Sequence, residues 1–359
     1  MTKVYVGMSG GVDSSVTAAL LVEQGYDVTG VFMKNWAQDI PGFKCPWRED
    51  LADAKRVAVQ LGIPFKIYDF QKEYKQKVVD YLIEGYESGI TPNPDIMCNQ
   101  EVKFKLFLDT AIEDGADMIA TGHYARVLRS RYEDGSDKFQ LLQAVDQNKD
   151  QTYFLYRITE EALSKTLFPL GEMTKPEVRK KAKELGLITA EKKDSVGICF
   201  VGEVGIKEFL QNFIETKPGK IIEKESGNII GTHEGAIFYT IGQRRGLNVG
   251  GGMPYYVVGK DMSKNEVYVT TDLGDKDLWQ KTFSISNLHW INKVSYDLKL
   301  NSDVEVRIRH GASLIACKIN MKNSDVAEVV LEDEIRALTP GQSAVFYAGD
   351  ICIGGGVML

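Results

Sequence analysis

Short apolar runs alternate with amphipathic stretches along the first 125 residues of the chain. The apolar runs predict buried strands at residues 3–9, 27–34, 65–70 and 116–125. Between them, apolar residues recur at helical spacing and predict helices at residues 14–26, 49–62, 74–86 and 99–115. Strands that alternate with helices of this length imply right-handed crossovers and a buried parallel sheet. The first part of the chain is therefore predicted to be an α/β unit.

The pattern changes twice after this unit. Residues 126–145 are two strand-like runs around "EDGSD", which predicts a β-hairpin, and residues 174–186 predict a helix. Thr174 is placed to cap that helix, with Pro176 in its first turn. Beyond residue 205 the chain is rich in glycine, with short strand patterns at residues 266–270, 303–310 and 328–333.

We expect three domains. They are an α/β catalytic domain at residues 1–205, a small, mainly β central domain at residues 206–278, and a C-terminal β-barrel at residues 279–359. The chain has 359 residues, of which 43% are hydrophobic and 26% charged, and this size fits two or three soluble domains.

Neither a membrane span nor a secretory signal is predicted. No run of about eighteen apolar residues occurs, and the start "MTKVYVGMSGG" lacks a basic segment followed by a long apolar stretch. We therefore expect a cytoplasmic protein.

The net charge of −7 does not suggest non-specific binding to nucleic acid. A local basic face remains compatible with that total. Between Glu172 and Lys193, seven Lys and Arg residues stand against four Glu, a local excess of three positive charges. We interpret this run as the solvated face of a helix.

The cysteines do not form a spaced set. Five are present, an odd number without any C-x-x-C pair: Cys45, Cys98, Cys199, Cys317 and Cys352. This spacing argues against a disulfide framework and against a four-thiolate zinc site, and no resident metal site is predicted.

A glycine-rich turn joins the first strand to the first helix in "VYVGMSGGVDSSVTAALL". Gly10 and Gly11 allow the backbone to approach an anion, and Ser9, Ser14 and Ser15 offer hydroxyl groups. The helix N-terminus adds free N–H groups and a partial positive charge. The turn is neither G-x-x-x-x-G-K-[ST] nor G-x-G-x-x-G, so we interpret it as a phosphate loop of another kind. The alternative is a tight βα turn that binds nothing.

The string "SGGVDSS" at residues 9–15 resembles the PP-loop of ATP pyrophosphatases, which cleave ATP to AMP and pyrophosphate. The resemblance implies an adenine-nucleotide alpha hydrolase-like domain, ATP as co-substrate, and Mg²⁺ to shield the departing pyrophosphate. The ATP-binding residues it implies are Gly7, Met8, Ser9, Gly10, Gly11, Val12, Asp13, Ser14, Met33 and Gly122. The PP-loop alone leaves the acceptor of the adenylate open.

Cys98 follows two prolines in "TPNPDIMCNQEVKF". Pro92 and Pro94 favour an extended entry, and the helical pattern begins near Asn99. A thiol at a helix N-terminus has a lowered pKa and becomes nucleophilic, and Asp95 is close enough to handle a proton. The alternative is a structural cysteine at the start of a helix.

Cys199 lies in "DSVGICFVG", where an apolar run is flanked by Gly197 and Gly202. It is either a small core residue or a thiol on a mobile loop. Two thiols in a chain with an ATP-activating loop suggest sulfur chemistry, because adenylation turns a carbonyl oxygen into a leaving group that a soft nucleophile displaces. The other three cysteines lack such surroundings and are interpreted as packing residues.

Taken together, the motifs resemble the family of bacterial tRNA-specific 2-thiouridylases over the whole chain. The shared strings include "GMSGGVDSS", "GVFMKNW", "TPNPDIMCN", "ATGHYAR", "KDQTYFLY", "DSVGICF", "YTIGQRRGL" and "GQSAVFY". The resemblance implies that ATP adenylates O2 of the wobble uridine and that a Cys199 persulfide delivers sulfur to C2. Cys98 then completes release through a disulfide with Cys199, and Asp95 acts as acid or base.

The resemblance also implies partners. A sulfur-relay protein or a cysteine desulfurase would load Cys199, and the tRNA substrates would be Lys, Glu and Gln acceptors bound by a monomer. Residues Asn93, Pro94 and Asp95 would contact the flipped base, since a stacked uridine hides its C2 atom. The further tRNA contacts implied are Lys149, Asp150, Gln151, Arg307 and Ile308.

Simpler interpretations of these contacts stay open. Asp150 could cap a helix whose aromatic residues lie in the core, and Arg307 and Arg309 could share the solvated face of a strand. Arg244 and Arg245 are either plain surface residues or phosphate contacts.

Three alternatives to this function also stay open. The chain could be a PP-loop ligase that joins an amine to an acid, or an RNA-binding module with a relic nucleotide site. A third possibility keeps thiolation but places an iron–sulfur cluster on Cys98, Cys199 and Asp95, although such clusters usually require at least three thiolates.

Overall fold

The computed structural model describes residues 1–39, 45–194, 205–250, 252–292 and 304–359. Its first unit contains a five-stranded parallel sheet in the order β3-β2-β1-β4-β7. The strands are β1 (Lys3–Gly7), β2 (Asp27–Lys34), β3 (Phe65–Asp69), β4 (Met118–Ala120) and β7 (Thr166–Leu167). The predicted parallel α/β unit is confirmed.

Helices cover both faces of this sheet and bury their apolar residues against it. They are α1 (Val12–Glu23), α2 (Trp47–Leu61), α3 (Gln71–Tyr74), α4 (Asp80–Glu87), α5 (Pro94–Met97), α6 (Phe107–Glu113), α7 (Thr152–Leu155), α8 (Glu160–Ser164) and α9 (Lys175–Glu184). Two π-helical segments, Lys75–Val79 and Cys98–Leu106, make continuous helices of α3 with α4 and of α5 with α6. Such segments are frequent at functional sites.

The start of α9 agrees with its sequence signals. Glu177 accepts hydrogen bonds at 2.7 Å from both the backbone N–H and the hydroxyl of Thr174, as a capping-box glutamate does.

The central unit is mainly β, as predicted. It contains α10 (Ile206–Leu210), a 3₁₀ turn (Ala236–Phe238) and a four-stranded sheet in the order β10-β11-β8-β9. The strands are β8 (Gly219–Glu223), β9 (Ile229–His233), β10 (Tyr256–Asp261) and β11 (Glu266–Thr270).

The last unit is a six-stranded antiparallel barrel, closed by pairing of β12 with β17. Its strands are β12 (Trp279–Trp290), β13 (Val304–Arg307), β14 (Ile315–Met321), β15 (Ala327–Arg336), β16 (Ser343–Ala348) and β17 (Ile351–Met358). The predicted hairpin forms β5 (Ala125–Arg131) and β6 (Asp137–Gln143). It pairs with β17 at Leu142 and Ile351, so a hairpin of the first unit extends the sheet of the barrel.

The three units meet at Thr91. Its backbone N–H donates to the Pro340 carbonyl at 3.0 Å, and its carbonyl accepts from the Gln342 side chain at 2.7 Å. Its hydroxyl lies 3.2 Å from that of Thr240 in the central unit. The "TPNPD" segment therefore begins where all three units touch. None of the helices in the described parts of the chain is long and apolar enough to cross a lipid bilayer.

Candidate active site

The site lies where β1 and β4 end side by side. The chain winds outward from β1 through β2 to β3 on one side, and continues through β4 to β7 on the other. Parallel sheets open a crevice at such a switch point, beyond the carboxyl ends of the strands. The loop at residues 8–11 follows β1, and residues 121–124 follow β4, so both enter this crevice.

The loop after β1 is held by its own serines. The Ser9 N–H donates to the Ser14 hydroxyl at 3.1 Å, and the Ser15 hydroxyl donates to the Gly11 carbonyl at 2.7 Å. Gly10 has a φ of +79°, and a Cβ there would lie 2.9 Å from the Asp50 carbonyl carbon. No side chain caps α1 at Gly11, so the first-turn amides remain available to an anion.

Met33 and Gly122 lie against this loop. A Cβ added to Gly7 would be 3.0 Å from the Met33 Cε, and one added to Gly122 would be 2.9 Å from the Ser14 nitrogen. The structure thus brings together all the residues that were predicted to bind ATP. That they bind ATP remains a prediction.

Asp13 forms an ion pair beside the loop. Its carboxylate accepts from the Lys175 ammonium at 2.8 Å on each oxygen, and from the Tyr124 hydroxyl at 2.9 Å. Within the described ranges, no group of three or more His, Cys, Asp or Glu side chains is arranged to hold a metal ion.

Asp194 is the centre of a second ionic cluster. Its carboxylate lies 3.0 Å from Lys149, 2.9 Å from Lys175 and 2.6 Å from Arg179. Burial would raise the pKa of Asp194, but hydrogen bonds from Lys175 and Lys149 outweigh it and lower that pKa to about 2. The cluster is adjacent to the loop, because Lys175 belongs to both ion pairs.

The basic run at residues 172–193 is therefore only partly a solvated face. Lys180 and Lys183 are exposed and pair with nearby glutamates. Lys175, however, is 12% exposed, and Lys192 lies 2.8 Å from both Asp50 and Asp53. The interpretation as a plain surface run is wrong for these two residues, because both form ion pairs with other parts of the fold. The sequence pattern could not show these pairs, since the partners Asp13 and Asp50 lie more than a hundred positions earlier.

The helix that carries Cys98 begins earlier than predicted. It starts at Pro94, and the Asn93 side chain caps it by accepting from the N–H groups of Asp95 at 3.2 Å and Ile96 at 3.4 Å. Cys98 is thus beyond the first turn, and its N–H donates within the helix. Because the dipole acts mainly within the first turn, the expected dipole activation of Cys98 is wrong. Cys98 as a whole residue is 4% exposed.

Asp95 is partly buried in the first turn of this helix. Burial raises the pKa of its carboxyl, and the nearby charges of Lys103 and His310 partly oppose that shift. A carboxyl whose pKa is raised is better suited to exchange protons near neutral pH.

Lys103 and His123 are candidate site residues that were not predicted from the sequence. The Lys103 ammonium lies 3.4 Å from His123 Nε2, and the Thr121 hydroxyl lies 2.8 Å from His123 Nδ1. An ammonium can only donate, so Nε2 is the acceptor and Nδ1 carries the proton. Burial, with the charge of Lys103, holds the pKa of His123 well below its usual value. The only signal in the sequence was the position of His123 directly after Gly122.

Cys199 lies outside the described residues. The thiols of Cys45, Cys317 and Cys352 agree with a packing role, because burial raises the pKa of each, that of Cys317 to about 12. A raised pKa makes a thiol a poor nucleophile at neutral pH.

The residues that were expected to contact tRNA lie mostly at the junction with the barrel. Asp150, Arg307 and Ile308 are buried. Asp150 does not cap α7, whose N-cap is Gln151, and the Gln151 side chain accepts from the Tyr124 N–H at 3.0 Å. The predicted strand at 303–310 ends at Arg307, so Arg307 and Arg309 do not share a solvated face. Contact of these residues with tRNA stays a prediction.

The fold and the loop together define an α/β protein of the PP-loop type that carries two further β units. Three family models match in the same order as these units. They are described as tRNA methyl transferase HUP domain at residues 2–203, tRNA methyl transferase PRC-barrel domain at 207–271, and Aminomethyltransferase beta-barrel domain at 280–358.

Curated relatives specify the family further. This chain is 47% identical to the tRNA-specific 2-thiouridylase MnmA of Bacillus thuringiensis (strain Al Hakam). The alignment extends over 355 residues, which cover 99% of this chain and 94% of that protein. The values are the same for the protein of that name from Bacillus cereus (strain Q1). The chain belongs to this 2-thiouridylase family, which confirms the resemblance drawn from its motifs.

Similarity to solved structures is weaker and partial. A 4-thiouridine synthetase in a complex with RNA and bound ATP is 21% identical, with 59% of this chain and 50% of that chain covered and a TM-score of 0.39. NMN synthetase from Francisella tularensis is 16% identical, with 54% of this chain and 66% of that chain covered and a TM-score of 0.34.

Proposed function

We propose that this protein is a tRNA uridine 2-sulfurtransferase that uses ATP to replace O2 of the wobble uridine with sulfur. The relatives' shared name supports thiolation over the methyl transfer mentioned in two family-model descriptions. The observation that carries the proposal is one connected arrangement of residues. The glycine-rich loop lies against Gly122, and the next residue, His123, contacts Lys103. The charge of Lys103 in turn lowers the pKa of Asp95 against the effect of burial.

The first step is adenylation. Uracil O2 attacks the α-phosphorus of ATP, and pyrophosphate leaves with the electron pair of the broken P–O bond. The loop fits this role, because Gly10 has a positive φ and packs directly against the Asp50 backbone, which lets the chain turn tightly into α1. The free amides of α1 and the nearby Lys175 would stabilise the negative charge that develops.

Mg²⁺ would neutralise phosphate charge when it is bound with ATP. Phosphate oxygens would hold it, with Asp13 as the carboxylate of the loop, since Mg²⁺ is usually bound by one or two carboxylates together with substrate phosphates.

The second step is sulfur transfer. The terminal sulfur of a Cys199 persulfide attacks C2, and AMP leaves with the former O2. The Cys98 thiolate then attacks Sγ of Cys199 to form a Cys98–Cys199 disulfide, and the electrons of the broken S–S bond form the C2 thiocarbonyl. A reductant restores both thiols before the next turnover. Asp95 is the proposed proton acceptor and donor, and its raised pKa supports that role.

The uridine must leave its stack to present C2. We place the flipped base against Asn93, Pro94 and Asp95, at the junction of the three units beside Thr91. Lys149 and Gln151 are partly exposed and are more accessible for tRNA than the buried Asp150, Arg307 and Ile308. We expect the protein to act as a cytoplasmic monomer on Lys, Glu and Gln acceptors, with Cys199 loaded by a relay protein or a desulfurase.

The test is reconstitution with unmodified tRNA, ATP, Mg²⁺ and a persulfide donor. We expect 2-thiouridine together with AMP and pyrophosphate. A PP-loop ligase would turn over equally well with serine at positions 98 and 199, and a relic RNA-binding module would bind tRNA without cleaving ATP. Iron analysis of anaerobically purified protein tests the cluster alternative, which requires bound iron and sulfide.

A further inference from the structure

Three cations converge on the single carboxylate of Asp194. Lys149, Lys175 and Arg179 all lie within 3.0 Å of its oxygens. The three side chains come from two parts of the chain, the segment before α7 and helix α9. One cation is enough to neutralise one carboxylate, so the cluster holds more positive charge than Asp194 requires.

The same cluster reaches the glycine-rich loop. The Lys175 ammonium donates to both Asp13 oxygens at 2.8 Å, and Asp13 lies in the first turn of α1. Asp146 accepts from the Lys175 backbone N–H at 2.9 Å, which fixes the start of α9 beside the loop. The three cations therefore face the Asp13 and Asp194 carboxylates at the end of the loop, and the Asp146 carboxylate lies at the Lys175 backbone.

The cluster is accessible to a dissolved anion. The Asp194 side chain is 34% exposed, and those of Lys149 and Arg179 are 39% and 27% exposed. The lowered pKa of Asp194 also indicates a strong positive potential at its position. A partly exposed carboxylate in such a field can be displaced from its hydrogen-bond donors by an anion that carries more charge.

We propose that Lys149, Lys175 and Arg179 bind the terminal phosphates of ATP and the pyrophosphate that leaves, and that Asp194 occupies their donors in the nucleotide-free protein. The inference rests on the proposed function and names the residues that hold the leaving group. Lys149 would then bind phosphate, which leaves Gln151 as the partly exposed tRNA contact of that segment. It also gives Asp194 the role of an internal anion that competes with the polyphosphate.

The experiment measures binding of inorganic pyrophosphate and of AMP to the full-length protein by titration calorimetry. The variants are Lys149→Met, Lys175→Met, Arg179→Met and Asp194→Asn. Lys181→Met is the matched control, because Lys181 lies on α9 but pairs with Glu23 at 2.9 Å, away from the cluster.

Removal of a cation should weaken pyrophosphate binding by about tenfold or more, the usual consequence of losing a hydrogen bond between charged groups. Asp194→Asn should strengthen pyrophosphate binding several-fold, because the competing charge is gone. AMP lacks the terminal phosphates, so its affinity should not change in any variant, and Lys181→Met should resemble the unsubstituted protein.

Unchanged pyrophosphate affinity in Arg179→Met and Lys149→Met would overturn the inference, as would weaker binding in Asp194→Asn. AMP binding distinguishes failure of this inference from failure of the proposed function. Protein that binds AMP but handles pyrophosphate independently of these residues contradicts this inference alone, whereas protein that binds neither ligand contradicts the proposed function as well. Thermal unfolding of each variant verifies that it is folded, and Lys149→Met and Arg179→Met leave the Lys175–Asp13 pair in place.

Discussion

Arg307 of the barrel and Asp150 of the α/β unit form an ion pair at 3.0 Å, with side chains that are 9% and 0% exposed. The same Asp150 carboxylate accepts from the Thr152 hydroxyl at 2.7 Å and from the Ala144 N–H at 3.0 Å. The pair therefore fixes the segment before α7 to the barrel from the inside. Both residues were expected to contact tRNA, but their side chains bind each other.

Arg307→Met should destabilise the protein strongly, because it leaves the Asp150 carboxylate buried without its cation. Breaking a buried pair in this way costs about 3–5 kcal/mol. The free energy of unfolding in urea measures the effect. Arg129→Gln is the comparison, since it removes an exposed pair with Asp137 and should cost less than about 1 kcal/mol. Similar losses in the two variants would show that the Arg307 pair is not buried in solution.

Gly10→Ala should abolish ATP binding while the fold persists. The alanine would adopt a positive φ, and its Cβ would overlap the Asp50 backbone, so the loop and α2 would have to separate. Gly135→Ala is the matched control, because Gly135 also has a positive φ but no atom within 4 Å of its Cβ position. It should cost about 1–2 kcal/mol of stability and leave ATP affinity intact. Equal ATP affinity in Gly10→Ala would contradict the placement of the phosphates.

Asp95→Asn should stabilise the protein at neutral pH. The pKa of Asp95 is raised in the folded state, so ionisation favours the unfolded chain, and this destabilisation is fully present above the folded pKa. It is lost as the pH falls through the folded pKa toward the unfolded value. Urea unfolding of both proteins across that range should show a stability difference that shrinks with falling pH. A constant difference would mean that burial of the charge is not its origin.

Lys103→Met should move the acid limb of the kcat/KM profile to higher pH. The charge of Lys103 opposes the rise in the pKa of Asp95, so its removal lets that pKa rise further and requires a higher pH for ionisation. Lys105→Met is the control, because Lys105 is mostly exposed and pairs with Glu101. An acid limb that does not move in Lys103→Met would separate Lys103 from the proton chemistry of Asp95.

Predictions from the sequence were most accurate for strands and helix caps, which depend on residues close together in the chain. The run at 27–34 became a strand with those bounds, and Thr174 became the N-cap of α9 with Pro176 in the first turn, as predicted. The loop residues, Met33 and Gly122 came together because parallel strands end at one edge of the sheet. The domain boundaries after residues 205 and 278 stay predictions.

Predictions from the sequence were wrong where contacts between residues far apart in the chain determine burial or position. Arg307 and Asp150 are 157 positions apart, and alternation along a strand could not reveal that its arginine is buried. The start of the Cys98 helix was misplaced because Pro94 was interpreted as extended, whereas proline also fits the first position of a helix behind an Asn cap. The contact of Lys103 with His123 joins a helix to a loop after β4, and no periodicity predicts such a contact.

The central claim is that Cys98 and Cys199 carry the sulfur chemistry. The direct measurement is mass spectrometry of nucleosides from tRNA treated with ATP, Mg²⁺, a persulfide donor and each variant protein. We predict that Cys98→Ser and Cys199→Ser yield no 2-thiouridine, whereas a triple Cys45→Ala, Cys317→Ala, Cys352→Ala protein that is still folded retains it. Full thiolation by Cys199→Ser would contradict the claim.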